Sequence, residues 1–200
     1  MVLDFFRKIG KLEPFEIRQS SLVLCLIAPG VYLYSICIVY FNKDAIEIPV
    51  TKYLFAGLFL IVGLLPFLKK KGVQDFYGFY VFLSLLIFQH YLTYIVVLNN
   101  FSIDYLLGTL IVMFGGILMM NNRVLIVFFS ASQLLHMGYR VLEATNLDQV
   151  TEFSILISIT TIFIYSIIIL NGTMRYKQSL LELNKNLENG IRERTIELEE

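Results

Sequence analysis

The chain has 200 residues, of which 57% are hydrophobic and only 16% are charged, with a formal net charge of zero and a mean hydropathy of +0.71. Soluble domains carry roughly 25% charged residues, so this composition excludes a soluble protein and predicts a chain embedded in a membrane. The charges are confined to the ends and to short loops, which leaves no basic surface for nucleic acid. Cys25 and Cys37 lie far apart along one predicted helix, so they cannot form a disulfide with each other.

The first predicted element is a polar N-terminal arm, residues 1–19, whose mixed charges and missing cleavage site do not fit a secretory signal. Six apolar segments follow within a predicted transmembrane domain of residues 20–171. Each is close to the roughly 17–25 residues that a transmembrane helix needs, and short polar connections separate them. The six predicted spans are Ser21–Phe41, Val50–Leu68, Tyr77–Leu98, Ile103–Met120, Val124–Val141 and Phe153–Leu170.

The basic residues predict how the spans are oriented. Ten of them fall on the side of the arm, the second and fourth loops and the exit from the last span, and three fall on the other side. Basic loops stay in the cytoplasm, so an even number of spans places both termini there. The fifth span is interrupted by Gln133, His136 and Arg140, and without it the C-terminus would move across the membrane. The ten are Arg7, Lys8, Lys11, Arg18, Lys69, Lys70, Lys71, Arg123, Arg175 and Lys177, and the three are Lys43, Lys52 and Arg140.

Residues 172–200 form a predicted cytoplasmic stalk, because the composition there changes to Leu, Glu, Asn, Lys and Arg. Seam positions recur in steps of three and four, as in a coiled coil. A doubled step of four beside Gly190 is a stutter, which locally unwinds the supercoil. The pattern predicts a homodimer, and the alternative is a frayed amphipathic tail. The seam positions are Tyr176, Leu180, Leu183, Leu187, Ile191, Arg194 and Leu198.

Two runs in the stalk carry a specific resemblance. L-N-K-N-L-E at 183–188, followed by I-R-E-R-T-I-E-L at 191–198, resembles the linker that joins sensor modules to the output domains of bacterial sensor histidine kinases and related cyclases. The resemblance covers about the last eighteen residues. It implies that the chain is the sensory part of a larger receptor, without the histidine kinase or cyclase output domain and therefore not itself an enzyme.

A second resemblance lies in the membrane part. L-N-N-F-S at 98–102 and N-N-R-V at 121–124 resemble the third-to-fifth span region of six-span quorum-sensing receptor kinases of the cholera-autoinducer type. Those receptors bind small, apolar α-hydroxyketones in their membrane domain. The resemblance implies a small lipophilic ligand, a role in a two-component system and a location in the bacterial inner membrane.

Polar side chains inside spans are costly and usually face a cavity or the bundle interior. At about 1.5 Å per residue, His90 and His136 lie at similar depth in the outer half of the membrane. One interpretation is a polar rim on an apolar pocket, which orients a ketone, hydroxyl or carboxylate of a ligand. The other is interhelical hydrogen bonding that locks the bundle. The predicted ligand-binding residues are Gln89, His90, Tyr94, Phe101, Gln133, His136 and Arg140.

Other classes of function stay open. His90 and His136 at matched depth would suit the axial ligands of a bis-histidine haem, with Arg140 as the one basic residue near a propionate. A transporter or channel subunit is a further alternative, although there is neither an internal repeat nor an acidic pair at mid-membrane. The chain has no P-loop, zinc-ligand spacing or nucleophile–base motif. We therefore expect a receptor without cofactor or metal.

Overall fold

The computed structural model describes residues 2–68, 70–120 and 122–199, and within these ranges it describes no side chain for residues 2–4, 71, 174, 177 and 196–199. Every regular element in these ranges is helical, and none is a strand. The helices are α1 (Val2–Gly10), α2 (Pro14–Phe41), α3 (Pro49–Leu64, continued by a 3-10 turn over Leu65–Leu68), α4 (Lys71–Leu98), α5 (Ile103–Leu118), α6 (Arg123–Glu143) and α7 (Gln149–Glu199).

Five of these helices are long and apolar enough to cross a membrane, namely α2, α3 with its 3-10 turn, α4, α6 and α7. The remaining predicted span corresponds to α5, an apolar helix of 16 residues. The predicted all-α, membrane-type architecture is thus confirmed. An all-helical membrane-type chain can be predicted because a long apolar run is visible in the sequence whatever it packs against, while the count of six spans stays a prediction.

Small residues bring α2 and α3 together. The Ser21 hydroxyl donates to the Gly63 carbonyl oxygen at 2.5 Å. A Cβ atom on Gly63 would lie 2.8 Å from the Cys25 Sγ and 3.2 Å from the Ser21 carbonyl oxygen. Glycine permits this approach because it has no side chain between the two backbones.

The predicted N-terminal arm contains α1, which packs against α4. The Phe6 and Phe79 ring centroids are 4.9 Å apart, and the Arg7 guanidinium lies 2.5 Å from the Asp75 carboxylate. Where the two helices cross, a Cβ atom on Gly78 would lie 2.7 Å from the carbonyl oxygen of Gly10. The arm is therefore part of the bundle, which its polar composition did not indicate.

The α2–α3, α4–α5 and α6–α7 connections meet at one end of the bundle, which we call the asparagine end. The Asn99 side chain accepts from the Ile46 N–H at 2.7 Å and donates to the Ile46 carbonyl at 2.9 Å. Asn146 donates to the Asn100 side chain at 3.4 Å. Asn100 and Phe101 have φ angles of 50° and 56°. The left-handed conformation costs roughly 1–2 kcal/mol per residue, and the burial of Phe101 offsets part of that cost.

One helix, α7, runs 51 residues from the bundle into the predicted stalk. The backbone N–H and the hydroxyl of Thr151 donate to the Asp148 carboxylate at 2.9 and 2.8 Å, which caps the helix and holds the pKa of Asp148 below its usual value. Ile155, Ile159 and Phe163 are buried in the bundle. Every described residue from 172 to 195 is exposed. At 1.5 Å per residue, this part is roughly 36 Å long.

Candidate functional site

His90 on α4 and His136 on α6 are in direct contact. Their Nδ1 atoms are 2.8 Å apart and their ring centroids 4.9 Å apart. One Nδ1 donates and the other accepts, so the accepting ring is neutral. The contact agrees with the depth estimate from the sequence, which placed the two histidines at one level.

A buried glutamine precedes each histidine on the same helix, and we refer to Gln89, His90, Gln133 and His136 together as the histidine cluster. The Gln89 amide nitrogen donates to the Thr109 carbonyl oxygen at 3.3 Å. Gln133 is only 1% exposed, and neither its amide nitrogen nor its oxygen has a hydrogen-bond partner among the described residues. A buried polar group without a partner costs roughly 1–3 kcal/mol, so the bundle holds this amide at the expense of stability.

The other three predicted ligand-binding residues lie outside the cluster. Tyr94 is exposed on α4. Phe101 is buried at the asparagine end. Arg140 is ion-paired with Glu143 of its own helix at 3.2 Å. The structure therefore brings two of the seven predicted residues, His90 and His136, into contact, and whether any of the seven binds a ligand stays a prediction.

The histidine contact does not favour the haem alternative. The two axial ligands of one haem lie on opposite faces of the iron, whereas the Nδ1 atoms of His90 and His136 face each other at hydrogen-bonding distance. Within the described part of the chain, no group of three or more His, Cys, Asp or Glu residues is placed to hold a metal ion.

A separate cavity of about 320 Å³ lies between α2, α4 and α5, and none of the seven predicted residues lines it. We call it the tyrosine cavity, because Tyr34, Tyr91 and Tyr105 contribute to its wall. Exposed Gly30 and Ile111 lie in the lining, so the cavity opens towards the outer surface of the bundle. The rest of its wall is mainly apolar, and includes Ile27, Val31, Leu92, Ile95 and Val112.

The polar groups of the tyrosine cavity gather around Glu47, which reaches in from the α2–α3 connection. Its carboxylate accepts a hydrogen bond from the Ser35 hydroxyl and acts electrostatically on the phenol groups of Tyr34, Tyr91 and Tyr105. The Tyr105 side chain is 3% exposed, and its hydroxyl has no hydrogen-bond partner among the described residues. Tyr105 therefore contributes to the wall of the cavity, while its hydroxyl is enclosed by the surrounding atoms.

The remaining polar groups of the wall have partners. The Tyr34 hydroxyl donates to the Asp104 carbonyl oxygen at 2.9 Å. The hydroxyls of Tyr91 and Thr51 are 2.5 Å apart. The Lys52 ammonium lies 5.9 and 5.8 Å from the ring centroids of Tyr32 and Tyr53.

The sequence pattern did not point to the tyrosine cavity. Its apolar wall consists of ordinary span residues, and its tyrosines fit the aromatic belt that membrane proteins place at the lipid interface. Glu47 was the one available signal. It is an acidic residue between two spans, two positions before Pro49, and nothing in the sequence indicates that its connection folds back over the bundle.

No protein-family model, curated protein or solved structure matches the chain. The fold itself defines the class of the protein as an all-helical chain with several membrane-type helices.

The histidine contact leads to a prediction about stability. Replacing either His90 or His136 by alanine removes the same hydrogen bond, so the double variant should lose little more stability than the less stable single variant. Interhelical hydrogen bonds in membranes contribute about 0.6 kcal/mol on average and up to about 1.7 kcal/mol, which sets the expected coupling energy. Thermal unfolding of the purified protein in detergent measures it.

Leu135→Ala is the matched control, because Leu135 lies on the same helix and is 74% exposed. The stability losses from Leu135→Ala and His90→Ala should add, without a coupling energy between them. If the losses from His90→Ala and His136→Ala were additive, the contact would not exist in the folded protein.

Proposed function

We propose that this chain is the receptor module of a bacterial membrane signalling protein. It detects a small lipophilic ligand within its helical bundle and passes the signal through a dimeric coiled coil to a C-terminal histidine kinase or cyclase output domain. The observation that carries the proposal is the continuity of α7, in which Ile159 is buried in the bundle and every described side chain from residue 172 to 195 is exposed. A change in packing around α7 is transmitted to the stalk because one continuous helix forms both the bundle part of α7 and the stalk.

The proposal includes a topology of six spans, with α5 as the shortest. Its 16 residues extend about 24 Å, compared with about 30 Å for the hydrocarbon core. The distribution of Lys and Arg then favours a multi-pass protein of the inner membrane with both termini in the cytoplasm. In this orientation the stalk reaches a cytoplasmic output domain, and the asparagine end faces outward.

The exposed seam of the stalk supports a homodimer. Leu180, Leu183, Leu187 and Ile191 are between 41% and 67% exposed in a single chain, and they follow the coiled-coil spacing. The side chain of Leu198, the last predicted seam position, lies outside the described residues. An isolated coiled coil of under thirty residues is marginal, but a membrane anchor on each helix raises the local concentration of the partner.

The bundle is compatible with a ligand-sensing role, and the resemblance of residues 98–102 and 121–124 to quorum-sensing receptor kinases motivates our proposal of a two-component system. A switch needs two packings that differ in their affinity for a ligand. The histidine cluster contributes a buried amide without a partner, Gln133, which another packing would relieve. The tyrosine cavity contributes a space of the size that ligands occupy, since ligand pockets measure roughly 300–1,000 Å³.

Cysteine crosslinking tests the dimeric stalk. A cysteine at Leu187, on the seam, should form an intermolecular disulfide at least severalfold faster than a cysteine at Lys185, which lies off the seam. Cys25 and Cys37 are first replaced by alanine so that the introduced cysteine is the only one. The measurement is the fraction of crosslinked chain after mild oxidation in membranes.

Glu188→Cys serves as a second off-seam control directly beside Leu187. Equal crosslinking at all three positions would mean that the stalks do not pair in register, and the proposed route of signal transmission would fail with it.

A further inference from the structure

We infer that a second copy of this chain packs on one particular face of the bundle, the face formed by α5 and α7, so that the partner's α7 lies against both helices. The inference rests on the proposed function, because it takes the dimeric stalk as its starting point. It goes further by selecting one face of the bundle from the several that are exposed.

The side of α7 that packs into the bundle is a narrow stripe. Its buried side chains are Ile155, Ile159, Phe163 and Ser166. Successive residues of a helix are about 100° apart around its axis, so the four side chains fall within about 80° of one another. Because α7 is one unbroken helix over Gln149–Glu199, the direction of this buried stripe can be carried along it into the stalk.

The seam of the stalk points to one side of the buried stripe. At about 100° per residue, the mean direction of the seam positions between residues 176 and 191 lies roughly 75° from the mean direction of the stripe. The open face of α7 lies directly opposite the stripe, so the seam points nearer to the bundle than to that face. A stalk that pairs along this seam therefore places the partner beside the bundle, and not behind α7.

The contacts of α7 show which flank this is. In the bundle, α7 packs mainly against α5 and α6. Leu156 marks the α6 flank, because a Cβ atom on Gly138 of α6 would lie 3.7 Å from the Leu156 side chain. Leu156 lies about 65° from the centre of the buried stripe, on the side away from the seam. The seam therefore points to the other flank of α7, where α5 lies.

Exposed apolar side chains occupy this flank. Ile169 lies two heptads before Leu183, which makes it an equivalent position of the seam within the bundle, and it is 42% exposed. On the outer surface of α5, Leu107 and Leu118 are exposed as well. Membrane helices associate through van der Waals packing of such surfaces. A partner on the α5–α7 face covers them and continues the pairing of the stalk into the bundle.

The position of α5 gives this face a link to the tyrosine cavity. Tyr105, Gly108 and Val112 of α5 line the cavity together with residues of α2, whereas α7 packs on another side of α5. In the inferred dimer, α5 thus lies between the cavity and the partner's α7. A displacement of α5 caused on either side changes the packing on the other.

Cysteine crosslinking in membranes tests the assigned face. The full chain is used, with Cys25 and Cys37 replaced by alanine and one new cysteine introduced. Ile169→Cys should form the intermolecular disulfide at least severalfold faster than Ile168→Cys. Both side chains are exposed, but Ile168 points about 100° away from Ile169.

A second measurement tests the contact between α5 and the partner's α7. Two differently tagged chains are produced together, one carrying Leu118→Cys and the other Ile169→Cys, and a short bismaleimide is added. Mixed crosslinks should form at least severalfold faster than with Val127→Cys in place of Leu118→Cys. Val127 is the matched control, because it is exposed on α6 and, like Leu118, lies near the end of the bundle opposite the asparagine end.

Equal crosslinking at Ile168 and Ile169, or mixed crosslinks that form as fast from Val127 as from Leu118, would overturn the inference. The cysteine at Leu187 is the separate readout for the stalk. If Leu187 crosslinked as expected and Ile169 did not exceed Ile168, the assigned face would be wrong and the proposed function would be left in place. Crosslinking at Ile169 and Leu118 without crosslinking at Leu187 would support the face and count against signal transmission through a paired stalk.

Discussion

Replacing Gly63 by valine is expected to lower the thermal unfolding midpoint by roughly 2–12 °C. A Cβ atom there would lie 2.8 Å from the Cys25 Sγ and 3.2 Å from the Ser21 carbonyl oxygen, and the second of these is rigid backbone. Overpacking typically costs about 1–3 kcal/mol, and each kcal/mol shifts the midpoint of a chain of this size by about 2–4 °C. The hydrogen bond from Ser21 to Gly63 should also be lost as α2 and α3 separate. Thermal unfolding in detergent measures the effect.

Gly57→Val is the matched control on the same helix, because a Cβ atom at Gly57 meets nothing within 4 Å. It should change the midpoint little. Adding Cys25→Ala to Gly63→Val should recover part of the lost thermal stability, because it removes the Cys25 Sγ, the atom nearest to a Cβ at position 63. Equal effects of valine at Gly57 and Gly63 would mean that α2 and α3 do not approach each other as described.

Insertions into α7 are expected to change signal output with a helical period. Each residue adds about 100° of rotation, so two alanines inserted after Asn171 turn the stalk by about 200° relative to the bundle, whereas seven turn it by only about −20°. In a fusion of the full chain to a histidine kinase output domain, the two-residue insertion should shift basal kinase activity by roughly 5–150-fold, the usual range of a coupling free energy of 1–3 kcal/mol. The seven-residue insertion should restore the original level.

The control is the same pair of insertions at the end of the fused stalk, beyond the last residue of this chain and before the kinase domain. Those insertions should give their own periodic response without altering how the bundle packs around α7. If insertions of two and seven residues after Asn171 gave the same output, rotation of α7 would not carry the signal.

The sequence predicted the helices of the bundle well because an apolar run of this length has few structural alternatives. The sequence was less informative about features that depend on how the helices pack against one another. The composition of residues 1–19 predicts only a polar arm, whereas α1 within it packs on α4 where Gly10 and Gly78 meet, and a pair of glycines at separate positions gives no local signal. The predicted fourth span extended to Met120, whereas α5 ends at Leu118.

The candidate site was predicted in part. Residue spacing alone placed His90 and His136 at one depth, and the structure has them in contact. Spacing could not reveal how the helices rotate about their axes, and for that reason Tyr94 was grouped with His90 although its side chain is exposed. The tyrosine cavity requires three helices and a folded connection, and none of its residues is unusual in its own segment.

The length of α5 has a consequence for the lipid around the protein. The helix is about 24 Å long, and in the proposed six-span topology its exposed Ile103, Leu107 and Ile111 side chains face a hydrocarbon core of about 30 Å. A bilayer adapts to such a mismatch by thinning locally, at a cost of fractions of a kcal/mol per Å. In that topology, acyl chains beside α5 are compressed and tilted, and the tyrosine cavity opens into the thinnest part of the surrounding lipid. The thickness of the host membrane would then act on a helix that also lines the tyrosine cavity.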